Sequence, residues 1–351
     1  VINFEVRREE TLQEGLACLE NRHFDLVLLY LALPDQDGLQ TVEQLHSQHP
    51  QMGIVILTGL ESEDLGLEGV RLGAEDYLLK GEITVSSLLR SLSFSYERTR
   101  RRRAEGLWQE ANTEQIAAQA VHRRLLPQSA PKLEGLEIAG ACHPATLTGG
   151  DYFDYFRLQT GELGLLVADV SGHGLAPSFV MAGARSALRS VLEFTSSLPQ
   201  LMASVNRAVL EDTQSEYFIT MFLVILDLDK RTFQYLGAGH NAFWFKADGQ
   251  IVELEPACPP LGVLEKLDLC PNPPQQLATG DTLLLMTDGF QEAQQAEGEM
   301  LGETACLQEV CDYQEEPAQT IVNQLFSISD EHCAPEKPFD DRTVVVLKVT
   351  D

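Results

Sequence analysis

Positive charge is scarce in this 351-residue chain: 25 lysines and arginines stand against 53 aspartates and glutamates, a formal net charge of −28. The deficit is uneven, with 13 basic and 20 acidic residues up to Pro127 and 12 and 33 from Gln128 onward. Such a surface repels phosphate backbones, so nucleic acid is not expected as a partner. Long apolar runs are missing as well. No stretch approaches the ~18 consecutive apolar residues of a membrane span, and no membrane partner is expected. No signal peptide is visible, although the chain opens on Val1 and its native N-terminus is expected to lie upstream. The seven cysteines are odd in number and form no Cys-x-x-Cys pair. They read as reduced thiols of a cytoplasmic protein, not as a disulfide frame or a zinc site.

A thiol-based phosphatase loop is excluded on the same grounds. His332-Cys333 could open one, but the arginine needed six residues after the cysteine is Phe339. What remains is an ordinary globular mixture, 44% hydrophobic and 22% charged, long enough for about two domains of ~100–200 residues.

The first part alternates compact aliphatic runs with helical spacing. Leu26 to Leu29 and Ile54 to Leu57 suit buried parallel strands, and Ala74 to Lys80 reads as another short strand. Leu12 to Leu19 and Leu39 to Leu45 carry apolar residues at helical intervals. This predicts an open, doubly wound α/β domain. Residues 1–88 resemble a response-regulator receiver domain, through Phe24 to Leu39 (FDLVLLYLALPDQDGL), the hydroxyl of Thr58, and Tyr77 and Lys80. Two departures follow. Tyr30 stands where that family carries its phosphoacceptor aspartate, and a phenol neither forms an acyl phosphate nor replaces a hard carboxylate ligand. The first strand and its paired acidic residues are not found, so the sequence is expected to begin inside the domain. The expectation is a pseudo-receiver that signals by binding.

Residues 89–126 read as a helical linker. Trp108, Ala111, Ala118 and Leu125 approximate a heptad seam interrupted by Gln115 and His122, which makes the linker a candidate coiled coil and homodimer contact. The basic run of Arg98 and Arg100 to Arg103 reads as a solvated helix face. Leu125-Leu126-Pro127 ends the helix, because proline disfavours helical geometry in the residue before it.

From Leu136 the pattern turns to strands with a few helices. Strand candidates are Gly164 to Ala168, Phe218 to Leu226, Asp281 to Met286 and Thr343 to Val349; Leu175 to Leu192 and Leu198 to Leu210 read as helices. Aspartates recur at strand ends: Gly149-Gly150-Asp151, Asp169-Val170-Ser171-Gly172-His173-Gly174, Thr287-Asp288-Gly289 and Asp340-Asp341. A strand end fixes a carboxylate, and a neighbouring glycine lets the backbone turn away. Four carboxylates at one sheet edge repel one another unless divalent cations join them, and all-oxygen donors favour Mg²⁺ or Mn²⁺ over zinc. Two such ions sharing a water lower its pKa and aim it at phosphorus.

The ordered set GGDYFDY, VADVSGHG, LGAGHN, PPLGV, LLLMTDGFQEA and FDDRTVVVLKV, preceded by LLPQSAP, resembles the metal-dependent protein phosphatase family of the 2C type. The likeness is to its bacterial sporulation stage II E and sigma-B regulator form and covers nearly all of residues 124–351, with the phosphatase domain itself read as 127–351. It implies an α+β domain of two packed β-sheets flanked by helices, and hydrolysis of a phosphoserine or phosphothreonine in a protein. An anti-sigma antagonist is the implied type of substrate. It further implies two Mn²⁺ or Mg²⁺ ions held by Asp151, Asp169, the Val170 carbonyl, Asp288 and Asp340, with Asp169 bridging. Asp341 is an adjacent candidate, and Asp154 is read as a supporting group or third ligand. His173 has two readings, proton donor or loop-shaping residue, of which the second is favoured; His240 and Asn241 read as a structural turn. No arginine in the motifs offers itself as a phosphate clamp. The alternative is a non-catalytic adaptor that binds a regulatory partner through the same fold; the intact aspartates argue against it.

Overall fold

The computed structural model describes residues 4–59, 63–296, 298–336 and 338–351. Two compact units divide the chain, residues 1–114 and 115–351.

In the first unit, α1 (Leu12–Asn21), α2 (Gln40–Gln48) and α3 (Glu63–Arg71) accompany a parallel sheet of β1 (Leu26–Tyr30), β2 (Gly53–Thr58) and β3 (Asp76–Leu79), in the order β1-β2-β3. The core is the apolar side of these elements: Leu12, Leu16, Leu29, Val42, Leu45, Ile54 and Ile56. Thr11 caps α1, and Asp35 of the β1–α2 loop accepts from the Leu12 and Gln13 amides at 2.9 and 3.0 Å. Those two amides hold the Asp35 carboxyl below its ordinary range.

The basic run does more than face solvent. Along α4 (Val85–Leu125), Arg102 and Arg98 reach Glu75 at 2.6 and 3.7 Å, and Arg103 donates to the Gln51 carbonyl at 3.0 Å. A solvated face is thereby corrected to a face that also fastens the helix to its own unit. Trp108 is exposed; the Ala111 side chain of the expected seam lies outside the described residues. Among the described residues, no helix is long and apolar enough to cross a membrane.

Tyr30 ends β1, and the Lys80 ammonium lies 3.3 Å from the centre of its ring. The cation that an acyl phosphate would engage thus rests on an aromatic face. Treatment with acetyl phosphate or beryllofluoride is expected to leave this unit unmodified and its NMR spectrum unchanged. Covalent phosphate found here by mass spectrometry would contradict that.

The second unit contains two antiparallel five-stranded sheets. One comprises β4 (Leu136–His143), β9 (Ala242–Phe245), β10 (Ile251–Leu254), β12 (Thr282–Met286) and β13 (Arg342–Val349), ordered β10-β9-β12-β13-β4. The other comprises β5 (Tyr152–Arg157), β6 (Leu163–Val170), β7 (Ile219–Asp227), β8 (Thr232–Ala238) and β11 (Gln275–Gln276), ordered β11-β8-β7-β6-β5. Leu165, Val167, Phe222 and Val224 from one sheet meet Leu283, Leu285, Val345 and Leu347 from the other. The outer face of the β5–β8 sheet is covered by α5 (Leu175–Val191) and α6 (Leu198–Thr213), through Leu166, Ala168, Met181 and Val205. The outer face of the second sheet is covered by α7 (Glu303–Asp312) and α8 (Ala318–Cys333), through Leu284, Val344, Val346, Ile321 and Leu325. Burial on both faces explains why β6, β12 and β13 each carry consecutive aliphatic residues instead of an alternating pattern.

Candidate active site

The strand-end aspartates gather where β5 begins and β6 and β12 end. Asp151 precedes β5, Asp169 lies at the end of β6, Asp288 opens a 3-10 turn (Asp288–Phe290) after β12, and Asp340 and Asp341 precede β13. Their exposure grades outward: Asp151 and Asp341 are buried, Asp169 and Asp340 half-buried, and Asp288 reaches solvent. Val170, the proposed carbonyl donor, is the last residue of β6.

Asp341 is a structural clamp. Its Oδ1 accepts from the Ala145 amide at 2.8 Å and its Oδ2 from the Gly150 amide at 2.7 Å, which draws the loop ahead of Asp151 onto β13. Close approach requires the two glycines. A Cβ on Gly149 would fall 2.2 Å from Asp341 Oδ2, and one on Gly150 would fall 2.8 Å from the Val170 carbonyl. Thr287, fully buried, donates to Asp151 Oδ2 at 2.9 Å while accepting from the Thr343 amide at 2.9 Å. The Asp151 carboxylate is thereby oriented from β12 and β13.

Electrostatics mark the cluster. Burial, then the charges of Asp169 and Asp341, push Asp151 well above its ordinary range. Burial, then Asp288, Asp340 and Asp341, push Asp169 up to about 8. Asp288 is pushed up to about 6 by the protein packed around it, then by Glu292 and Asp340, although its side chain keeps contact with water. The largest charge effects on these three groups all come from other carboxylates. A cluster of hard oxygen donors that resists its own ionisation fits a divalent cation of the Mg²⁺ or Mn²⁺ kind. Among the described residues, no three His, Cys, Asp or Glu side chains already converge as a closed metal cage. The carboxylates instead border one another at the ends of the two sheets.

Several other residues have definite places. Asp154 is fully buried and stands apart from the cluster. Its Oδ2 and Oδ1 accept from Arg189 Nε and Nη2 on α5 at 2.8 and 2.6 Å, and the Tyr152 hydroxyl donates to Oδ2. This carboxylate holds α5 on β5, so the supporting reading fits and a ligand role does not. His240 bridges the sheets: its ring nitrogens lie 2.9 Å from Thr220 Oγ1 and 3.0 Å from the Met286 carbonyl. Burial drives it down to about 4, so it is a neutral brace at neutral pH. His173 is exposed, with its ring 5.8 Å from that of Phe339.

Three residues make contacts that local sequence does not announce. His122, an interruption of the heptad pattern, is buried at the end of α4 and lies 3.1 Å from the Gly149 carbonyl. Thr287 has nothing in its local sequence to mark it as the partner of Asp151. Arg342, beside the aspartate pair, turns away from the cluster to Ser329 and Asp330 at 2.8 Å each. Arg185, one turn before Arg189 on the same face of α5, donates to the Leu125 carbonyl at 2.8 Å.

The chain matches known protein families in both units. Residues 159–350 match the family model "Stage II sporulation protein E (SpoIIE)", and residues 2–92 match "Response regulator receiver domain". Phosphoserine phosphatase RsbU of Bacillus subtilis is 28% identical over 250 residues, 69% of this chain and 72% of that protein. Stage II sporulation protein E of the same organism is 25% identical over 156 residues, 44% of this chain but 19% of that much longer protein. Among solved structures, the SiaA-PP2C domain of Pseudomonas aeruginosa superposes with a TM-score of 0.61 at 22% identity, over 69% of this chain and 98% of that one, a likeness of fold.

Proposed function

Because the chain belongs to the stage II sporulation protein E family and carries a response-regulator receiver domain, we propose that it is a metal-dependent phosphatase that removes phosphate from serine or threonine of a protein. The single observation that carries this reading is the set of strand-end aspartates Asp151, Asp169, Asp288 and Asp340, which border one another closely enough that their charges raise the pKa of Asp151, Asp169 and Asp288. RsbU, a phosphoserine phosphatase by name, supports the same activity. We read residues 1–88 as the receiver-like domain, 89–126 as the linker and 127–351 as the phosphatase domain.

In this proposal Asp151, Asp169, the Val170 carbonyl, Asp288 and Asp340 hold two Mn²⁺ or Mg²⁺ ions. The ions, when bound, supply an activated water and offset charge on the phosphate. Asp341 and Thr287 act through the others: one fixes the loop before Asp151, the other turns its carboxylate. His240 keeps the β6–β7 and β12 ends in register, so ligands borne by different sheets stay opposed. The substrate class is a serine-phosphorylated regulator of the anti-sigma antagonist type, as the family resemblance implies.

The test is Mn²⁺-dependent phosphate release from a phosphoserine peptide, beside free phosphometabolites, by the full chain. Peptide turnover above that of the metabolites supports the protein phosphatase. Turnover confined to metabolites would reassign the substrate, and binding without any turnover would favour the adaptor.

A further inference from the structure

Large apolar side chains are mostly hidden in the second unit. Phe153, Phe156, Phe222, Phe233, Phe243, Phe245, Phe290 and Phe326 are all buried. Against that background, Phe339, Phe179, Leu175 and Phe218 are 75, 68, 43 and 42% exposed. Leu175, Phe218 and Phe339 border the short loop from Ser171 to Gly174 that follows β6, and Phe179 lies one turn along α5 from Leu175. The Phe218 amide donates to Ser171 Oγ at 3.2 Å, and the Ser171 amide donates to the Phe218 carbonyl at 2.9 Å. Phe339 precedes Asp340 and meets the His173 ring edge-on at 5.8 Å. Leu175 opens α5 directly after the loop, and Phe179 lies one turn further along the same face. Phe194 is also exposed but lies past the far end of α5, away from this loop.

Scattered apolar residues on a surface need no explanation; a cluster at one place does. Three aromatic rings and a leucine around a cluster of carboxylates have no role in holding cations. They are the residue types that carry binding energy in protein contacts. They also lie where a phosphorylated polypeptide must come if its phosphate is to reach Asp169 and Asp340.

We propose that Leu175, Phe179, Phe218 and Phe339 form a docking rim for large apolar side chains flanking the phosphorylated serine of the substrate. The proposal rests on the phosphatase reading and names the recognition chemistry of the same site. The phosphate supplies the chemistry common to all substrates, and the rim selects among polypeptides that carry it.

Two synthetic phosphoserine peptides of equal length and charge test this, one with leucines on both sides of the phosphoserine and one with serines there. With Mn²⁺ and the full chain, kcat/KM is expected to be about tenfold higher for the leucine peptide, equivalent to about 1.4 kcal/mol. Phe179→Ser and Phe339→Ser should each reduce that preference, and the pair should abolish it, while hydrolysis of p-nitrophenyl phosphate stays within about twofold of wild type. Equal rates on the two peptides in wild type would overturn the rim. So would a matching fall in p-nitrophenyl phosphate turnover, which would place the rings in the chemistry. Light scattering covers the remaining occupant: a dimer dispersed by Phe179→Ser, with no peptide preference, would assign the patch to a second copy of the chain. Absence of all metal-dependent turnover, on p-nitrophenyl phosphate included, is the separate signature of a failed phosphatase reading.

Discussion

Asp169→Asn is expected to raise the stability of the metal-free protein at pH 8 while lowering metal-dependent turnover by on the order of 10³-fold. The two effects have one cause. Asp169 sits among Asp151, Asp288, Asp340 and Asp341, and its folded-state pKa is pushed up to about 8 from the 3.8 of a free side chain. A carboxyl raised in this way binds its proton more tightly in the folded state than in the unfolded one. Its contribution to stability is therefore greatest below pH 4 and is lost as pH climbs from there through about 8. Above pH 8 the folded protein carries the full penalty of an ionised group among like charges. Asparagine has nearly the same shape and no charge, so the substitution should recover about 1–3 kcal/mol there and several degrees of melting temperature. At pH 4, where Asp169 is protonated, the gain should shrink towards zero. Added Mn²⁺ should stabilise the wild type at pH 8 and do so far less for the variant. Calorimetry in chelator at the two pH values, then with Mn²⁺, measures each effect. A variant less stable than wild type at pH 8 in chelator would mean that the acidic cluster is not under repulsive strain.

The second large effect concerns a pair outside the cluster. Arg189→Met should destabilise the phosphatase unit by about 3 kcal/mol, because it strands the buried Asp154 carboxylate without its cation. Asp154 is 0% exposed, and its oxygens receive Arg189 at 2.8 and 2.6 Å. The arginine side chain is 40% exposed, so water can partly replace it, which keeps the expected loss at the lower end for a broken buried pair. Adding Asp154→Asn should return a substantial part of the lost stability, since the unpaired charge is then gone. Trp244, buried in β9, reports unfolding of this unit in urea, whereas the other tryptophan, Trp108, is already exposed on α4. A double variant no more stable than Arg189→Met alone would show that Asp154 is not the group left in difficulty.

Much of the fold was legible in the residues because burial on both faces leaves a plain signature. Leu163 to Val170 and Arg342 to Val349 contain aliphatic runs that suit only a strand with a layer on either side. The carboxylate set was legible for a similar reason, as strand ends announce themselves by an aspartate beside a turn. What the sequence left open depends on contacts between distant segments. Asp340 and Asp341 are neighbours of one chemical type, yet only Asp341 is folded back to the amides of Ala145 and Gly150. Arg189 and Asp154 are separated by 35 residues, and nothing local tells a salt-bridged aspartate from a ligand. His122 looked like a flaw in a heptad because periodicity along a helix carries no information about which unit its last turn meets. The arginine run shows the same limit: its charge suggested water, whereas Glu75 and the Gln51 carbonyl also receive it.

The central claim is that the strand-end aspartates form a metal-dependent hydrolytic centre. Hydrolysis of p-nitrophenyl phosphate and of a phosphoserine peptide, measured across a Mn²⁺ titration for wild type and Asp288→Asn, tests it most directly. Asp288 lies at the exposed lip of the cluster, where substitution disturbs the buried core least. The account predicts turnover that requires the metal in wild type and falls to background in the variant, with both proteins equally folded. Turnover that is indifferent to Mn²⁺, or that survives in Asp288→Asn, would contradict it.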